Sequence, residues 1–322
     1  MASLAEIRAK LQAANQQTSN TGGDNAIFPH WNIAEGTTTT VRFLPDADPN
    51  NTFFWVERAM IKLEFAGVKG QTDNKKTMVQ VPCMEMWGDT CPILTEVRPW
   101  FKDKSLEELG RKYWKKRSYL FQGFVTDTKL VEDGKLPENP IRRFIISSQI
   151  FNIVKNALMD SEIDELPTDY VRGLDFKIVK TTKGGYADYS TSTWSRRERA
   201  LGDAEKAAIS QYGLFDLKEF LPKKPGEVEL KVMKEMFEAS VEGEAFDMDR
   251  WGQYFKPIGL SAPAAAVADD VRPSTPSVSN IAVKDEADPD DSADSPAAAS
   301  NSGSEASARA QDILAMIRNR QK

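Results

Sequence analysis

The chain has 322 residues, 40% of them hydrophobic and 28% charged, with a formal net charge of −6. That length suggests one large or two modest domains with a real core. No run approaches the ~18 apolar residues of a membrane helix, the start MASLAEIRAK lacks the apolar stretch of a signal peptide, and Cys83 and Cys91 are too few for a disulfide framework. A soluble, non-exported protein in a reducing cytosol is therefore expected.

Residues 1–16 read as a short amphipathic helix, with Ser3 and Glu6 as a capping box and Leu4, Ile7 and Leu11 on one face. Residues 17–26 have linker composition, so an N-terminal arm over 1–26 is expected. Over 27–260 the pattern is globular and mainly β with inserted helices, an α+β class. Strands are predicted at 38–44, 52–65, 118–126, 142–147 and 174–182, with turns at Asp133-Gly134 and Gly184-Gly185. Helices are predicted at 106–112, 149–160 and 226–239. Irregularly spaced strands, inserted helices and long loops suit an elaborated barrel such as an oligonucleotide-binding (OB) fold, although periodicity alone does not choose it over a sandwich.

Residues 261–305 carry nine acids against two bases, a net of −7, and almost no bulky apolar side chains. Such a segment cannot bury enough surface to offset chain entropy, and a disordered acidic tether is expected. Residues 306–322 are net +3, and Ala310, Ile313, Leu314 and Ile317 share a helical face, the pattern of a partner-binding hook.

The overall negative charge conceals a basic patch. Residues 98–117 hold eight Lys/Arg against three acids, a net of +5, and polyanions bind to patches, not to averages. Within it, RKYWKKRSYLFQGF (residues 111–124) interleaves Lys112, Lys115, Lys116 and Arg117 with Tyr113, Trp114, Tyr119 and Phe121. Cations neutralise phosphates and flat rings stack on unpaired bases, which is what single-stranded nucleic acid offers and a duplex hides. The alternative is a basic turn entering a core strand, where Tyr119, Phe121 and Val125 simply mark the buried face.

Five local patterns, collinear over roughly residues 30–255, resemble the gene 32 type single-stranded-DNA-binding proteins of T-even-like tailed phages. VRFLP (41–45) is similar to that family's first core strand, DTCPI (89–93) to its cysteine loop, and KKRSY (115–119) to its basic-plus-hydroxyl motif and stacking tyrosine. Residues 142–159 resemble a strand-helix segment with further basic contacts, and LDFKIVKTTKGGYADY (174–189) resembles a late core strand and a loop with two spaced aromatics. The resemblance implies an OB-fold core, no enzymatic activity, and cooperative, sequence-tolerant single-stranded-DNA binding in phage replication, recombination and repair. It also implies self-association through the N-terminal arm, recruitment of phage replication and recombination proteins through the C-terminal region, and residence in the cytoplasm of an infected bacterium. By position, Lys115, Lys116 and Arg117 would meet phosphates, Tyr119 would stack on a base, and Tyr186 and Tyr189 would form an aromatic pair at the cleft. Lys112, Tyr113, Trp114, Trp87 and Trp100 belong to the same region. Arg142 and Arg143 would add basic contacts, or else guard an exposed strand edge.

The chain departs from the family pattern in three places. The family's metal site uses one His and three Cys, whereas here only Cys83 and Cys91 match, Leu94 replaces the last cysteine, and the sole histidine, His30, lies far upstream. Two thiols make a poor tetrahedral site, so no cofactor is expected and packing by Met84, Met86, Trp87 and Leu94 would anchor the loop. The N-terminus has Arg8 and Lys10 in place of a cluster of adjacent cations, and the acidic stretch precedes a basic terminal helix. Two other functions compete. An RNA-binding or RNA-chaperone protein would use the same stacking and phosphate chemistry. A metal-dependent nuclease would need carboxylate pairs such as Asp164/Glu165, but the chain has no phosphate-gripping GxxxxGK[ST] loop and only one histidine.

Overall fold

A computed structural model describes residues 25–258, apart from 72–74, 133–135 and 161–164. The expected arm (except its last two residues), the tether 261–305, the helix 306–322 and the Asp133-Gly134 turn lie outside the described residues. The fold is mixed α+β and rests on an antiparallel seven-stranded sheet. In chain order the strands are β1 (Thr38–Phe43), β2 (Trp55–Phe65), β3 (Thr77–Pro82), β4 (Lys116–Asp127), β5 (Arg142–Ser147), β6 (Leu174–Val179), β7 (Thr181–Lys183), β8 (Tyr186–Asp188) and β9 (Thr193–Glu198). The α-helices are α1 (Pro92–Val97), α2 (Glu107–Tyr113), α3 (Ser148–Leu158), α4 (Asp203–Tyr212), α5 (Glu227–Glu242) and α6 (Met248–Trp251).

Strand β4 organises the sheet. Along one edge its first half pairs with β2 and its second half with β1, while β5 occupies the other edge. Tyr119 thus lies between Glu57 and Ile146, and Gly123 between Phe43 and Arg142. From this spine one wing continues from β2 to β3 and the other from β1 through β6 to β9; β7 and β8 form a separate hairpin.

Alternation along β4 sends successive side chains to opposite faces, and both faces are covered. Tyr119 and Phe121 join Phe43, Phe144, Phe151, Phe176 and Trp194 in one core, whereas Leu120 packs with Val56, Ile145 and Leu217 on the other side. A further core lies on the β2–β3 wing, where Ile61, Leu63, Val79 and Val81 meet α1, α2 and α5 through Ile93, Leu94, Tyr113, Met236 and Phe237. Burying each such side chain is worth ~1.5 to 3 kcal/mol, so these clusters fix the wings to the spine.

Two buried polar groups explain the joints. Gln122, fully buried on β4, donates from Nε2 to the carbonyls of Pro45 and Phe215 (both 2.8 Å) and accepts from the Phe215 N–H at 2.8 Å. It thereby closes the backbone of two loops over the sheet. Arg42 of β1, also fully buried, pairs with Asp175 at 3.0 Å and donates to the carbonyls of Asp169 and Arg199. Asp175 is shared with Arg199, which in turn grips Glu205 at the start of α4. Glycine is required at position 123, since a Cβ there would collide with the Arg42 backbone carbonyl.

The predicted strands and helices are present with ends displaced by up to three residues, as at Trp55 where 52 was expected and at Glu242 where 239 was expected. The predicted strand 174–182 breaks after Val179, because the chain leaves the large sheet there to form the β7–β8 hairpin. Glycines at 184 and 185, both with positive φ, make its expected turn. Strands β3, β8 and β9 and helices α1, α4 and α6 were not anticipated. Replacing Gln122 with Met keeps the side chain's length but strands three buried backbone groups. The expected cost is on the order of 3 kcal/mol, measurable by urea denaturation.

Candidate nucleic-acid interface

The helical side of the interface begins where β3 runs into the turn Met84–Trp87 and helix α1. Cys83 and Cys91 are buried and free, with their thiols in hydrogen-bonding contact. That contact and burial push the Cys83 thiol up, whereas the same contact, with backbone N–H groups of α1, pulls Cys91 down to about 6. Leu94 is fully buried in the same core, and His30 belongs to a different one, packed edge-on against Trp31 and Tyr189. Two thiols and a leucine do not supply the four N or S ligands of a structural zinc site. Among the described residues no group of three or more His, Cys, Asp or Glu is placed so as to hold a metal ion.

The basic stretch divides between these elements. Tyr113 ends α2 in the core, with its hydroxyl 3.1 Å from Ser240 Oγ, which donates to the Glu64 carbonyl at 2.7 Å. Its ring meets Phe237 edge-on at 5.3 Å, and Trp100 stacks on the same Phe237 at 5.9 Å. Trp114 is buried edge-on against Phe101. These rings cement α2 and α5 to the sheet. Trp87 remains partly exposed on its turn.

The cations lie outside this core, and three of them are met by a glutamate. Lys112 Nζ is 3.2 Å from Glu64, Lys115 Nζ 2.8 Å from Glu85, and Arg117 Nε 3.2 Å from Glu57. Arg98 also reaches Glu85, and Lys76 shares Glu64. Because β4 starts at Lys116, the KKRSY motif is split by strand alternation. Lys116 and Ser118 face one side; Arg117 and Tyr119 face the other. The expectation that these residues line one surface therefore gives way to two.

Tyr119 is only 6% exposed, its ring lying on Phe151 of α3 with centroids 3.5 Å apart and planes within 10°. Tyr189 is buried too, its N–H donating to Gln149 Oε1 at 2.8 Å. Tyr186, in contrast, is 54% exposed at the tip of the β7–β8 hairpin, beside Lys183. Arg142 is buried and held by both oxygens of Glu132 (2.8 and 2.6 Å) and by the carbonyls of Asn25 and Ile27. Arg143 lies with its guanidinium 3.6 Å from the Phe220 ring centre, and burial lowers its pKa to about 10. Neither arginine guards an exposed edge; both fasten chain segments 25–28 and 215–220 to β5.

One aromatic feature escaped sequence reasoning. Phe53 is 57% exposed and lies against Trp55, ring centres 4.7 Å apart. The loop carrying it is fixed by Asn51, which accepts from the Phe53 N–H and donates to the Trp55 carbonyl. Three successive aromatics in TFFW were absorbed into the start of a strand, although the preceding Asn-Asn marks a turn.

The sequence matches no protein-family model and no curated protein. Among the described residues no helix is long and apolar enough to cross a membrane.

Two outcomes follow from these placements. Tyr119→Ala should cost ~3 kcal/mol of folding stability, since it removes a ring stacked within a core, while Tyr119→Phe should be nearly neutral in thermal melts. His30 is buried, which lowers its pKa to about 4, with the Phe28 carbonyl opposing and Lys180 reinforcing the shift. The unfolded chain takes up the proton first, so this stability is complete above pH ~6.5 and is lost as the pH falls towards 4. Between pH 7.5 and 5.0 the loss should be ~2 kcal/mol, and urea titrations of His30→Phe should lack that component.

Proposed function

We propose that the chain is a non-enzymatic, sequence-tolerant single-stranded-DNA-binding protein with an OB-type core, acting in phage DNA replication, recombination and repair. The observation that carries this reading is the group of cations Lys112, Lys115, Lys116 and Arg117 at the entry to the central strand, three of which pair with glutamate side chains. The Lys112 and Arg117 pairs are partly exposed, and pairs of this kind are worth ~0 to 1 kcal/mol, so a polyphosphate chain can replace their glutamates at little cost. Tyr186, Phe53 and the partly exposed Trp55 and Trp87 offer ring faces for stacking, each worth ~1 to 3 kcal/mol per base. Support for the OB-type reading lies in a long antiparallel strand shared by β1, β2 and β5.

Residues 1–26 are assigned to contacts between neighbouring copies, the −7 tether to competition with phosphate for the cations, and residues 306–322 to replication and recombination proteins of the phage. The host cytoplasm is the assigned compartment. Binding the open strand and not the duplex shifts melting towards single strands by mass action.

A titration with oligo(dT) and with duplex DNA over a range of salt tests this reading. Preference for the single strand and a steep loss of affinity with salt are expected. Tyr186→Ala should weaken binding by ~1 to 3 kcal/mol at unchanged melting temperature and salt slope, and Lys116→Ala should lower the slope by about one unit or less. Affinity for oligo(dT) that does not respond to salt would remove the phosphate-anchored mechanism.

A further inference from the structure

One row of polar side chains crosses the three central strands. Arg58 of β2 lies directly opposite Ser118 of β4, which lies directly opposite Ser147 at the end of β5. Directly paired residues in an antiparallel sheet project from the same face, so the guanidinium and both hydroxyls stand side by side. Lys116 follows two residues before Ser118 on that face. Glu57, the nearest acid in the chain, projects from the opposite face, where it pairs with Arg117.

The row has more donors than acceptors. Arg58 Nε donates to Ser118 Oγ at 3.3 Å, and among the described residues no carboxylate pairs with this guanidinium. Ser147 Oγ is shut off from solvent and has no hydrogen-bond partner. Ser147 is also the residue preceding α3, yet its hydroxyl makes no capping bond to that helix. A buried hydroxyl without a partner costs ~1 to 3 kcal/mol, and a partly buried cation without a counter-charge adds to the cost. Burial brings the Arg58 pKa down to about 10 with no acid opposing the shift.

We propose that Arg58, Ser118 and Ser147 form a phosphate-binding subsite. An anion with several oxygens satisfies the terminal guanidinium nitrogens and the Ser118 O–H whose oxygen already accepts from Arg58, and takes up the enclosed Ser147 O–H once that side chain rotates towards the row. Chloride, a single acceptor, does not. Assigning the phosphate to the backbone of a single strand rests on the function proposed above; recognition of the phosphate itself does not. The placement beside Lys116 puts two cations on one face, at the spacing of adjoining strand residues.

The test uses the full chain and inorganic phosphate, read through the 15N resonance of Arg58 Nε and assigned by its loss in Arg58→Lys. A saturable shift with phosphate, absent with chloride at equal ionic strength, is expected, and Ser147→Ala should weaken it by about threefold or more. No saturable shift, or one that Ser147→Ala leaves untouched in a variant of parental melting temperature, overturns the subsite. Oligo(dT) then identifies the source of the phosphate. In Arg58→Gln a salt slope lower by ~0.7 assigns the subsite to the DNA backbone. An unchanged slope in a parent that binds oligo(dT) assigns it to free phosphate. A parent that fails to bind oligo(dT) while Arg58 still responds to phosphate sinks the single-strand reading and leaves the subsite standing.

Discussion

The fold depends on a single strand with no free side. Strand β4 has β5 on one edge, β2 and then β1 on the other, and a hydrophobic cluster on each face. A strand in that position can contribute external side chains only where the covering elements stop. For β4 that is at its two ends, Lys116 to Ser118, where burial is intermediate, and Val125 to Asp127, on either side of six consecutive buried residues. The same constraint fixes Gln122, whose amide replaces the backbone partners that two crossing loops would otherwise lack. It also fixes Gly123, where β1 comes too close for any side chain.

Electrostatics follow from this packing. Deeper positions carry a closed network: Arg42 with Asp175, Asp175 with Arg199, and Arg199 with Glu205, where each charge has a partner and removing one would leave others unpaired in low dielectric. At the entry to β4 the Lys112–Glu64 and Arg117–Glu57 pairs are partly open to water and screened by salt, while Lys115–Glu85 is more enclosed. The two kinds of pair therefore differ in what they resist. Arg142, clasped by Glu132 and backbone carbonyls, is part of the scaffold. Lys112 and Arg117 sit in partly exposed pairs, and under the proposed function these would exchange a carboxylate for another anion.

Much of the sheet was legible because its strands alternate or run continuously apolar: 142–147 was read at its exact bounds, and 118–126 within two residues at its start. Strand β3 was missed because TMVQVP runs directly into the cysteine loop, and β9 because TWSRRE ends in charge. Its lone buried ring, Trp194, is the part that joins the core. Helix α4 has only Ala208 buried, so its sequence carries almost no amphipathic signal. The basic patch was legible as charge; its geometry was not. Interleaved cations and rings look like one surface in a linear reading, but a helix end followed by a strand sends Tyr113 and Trp114 inward and divides Lys116 from Arg117. Arg58 carried no signal at all, because an arginine between glutamate and alanine in a strand is marked as special only by what fails to pair with it in space.

The distribution of aromatic rings sets how any base-stacking surface could be built. Most of the large rings near β4 are committed to one another: Phe43 alone touches five other aromatic rings, and Tyr119 and Phe151 form a closed stack. Opening such a stack to admit a base would forfeit the burial of both rings, roughly 3 kcal/mol or more, against a gain of about the same size from stacking. Exchange of that kind is at best neutral. Rings already in water, Tyr186 on a two-residue glycine turn and Phe53 on an Asn51-braced loop, lose nothing comparable when a base covers them. Under the proposed function, stacking would therefore fall to the projecting loops, and phosphate recognition to the end of the sheet where β4 begins.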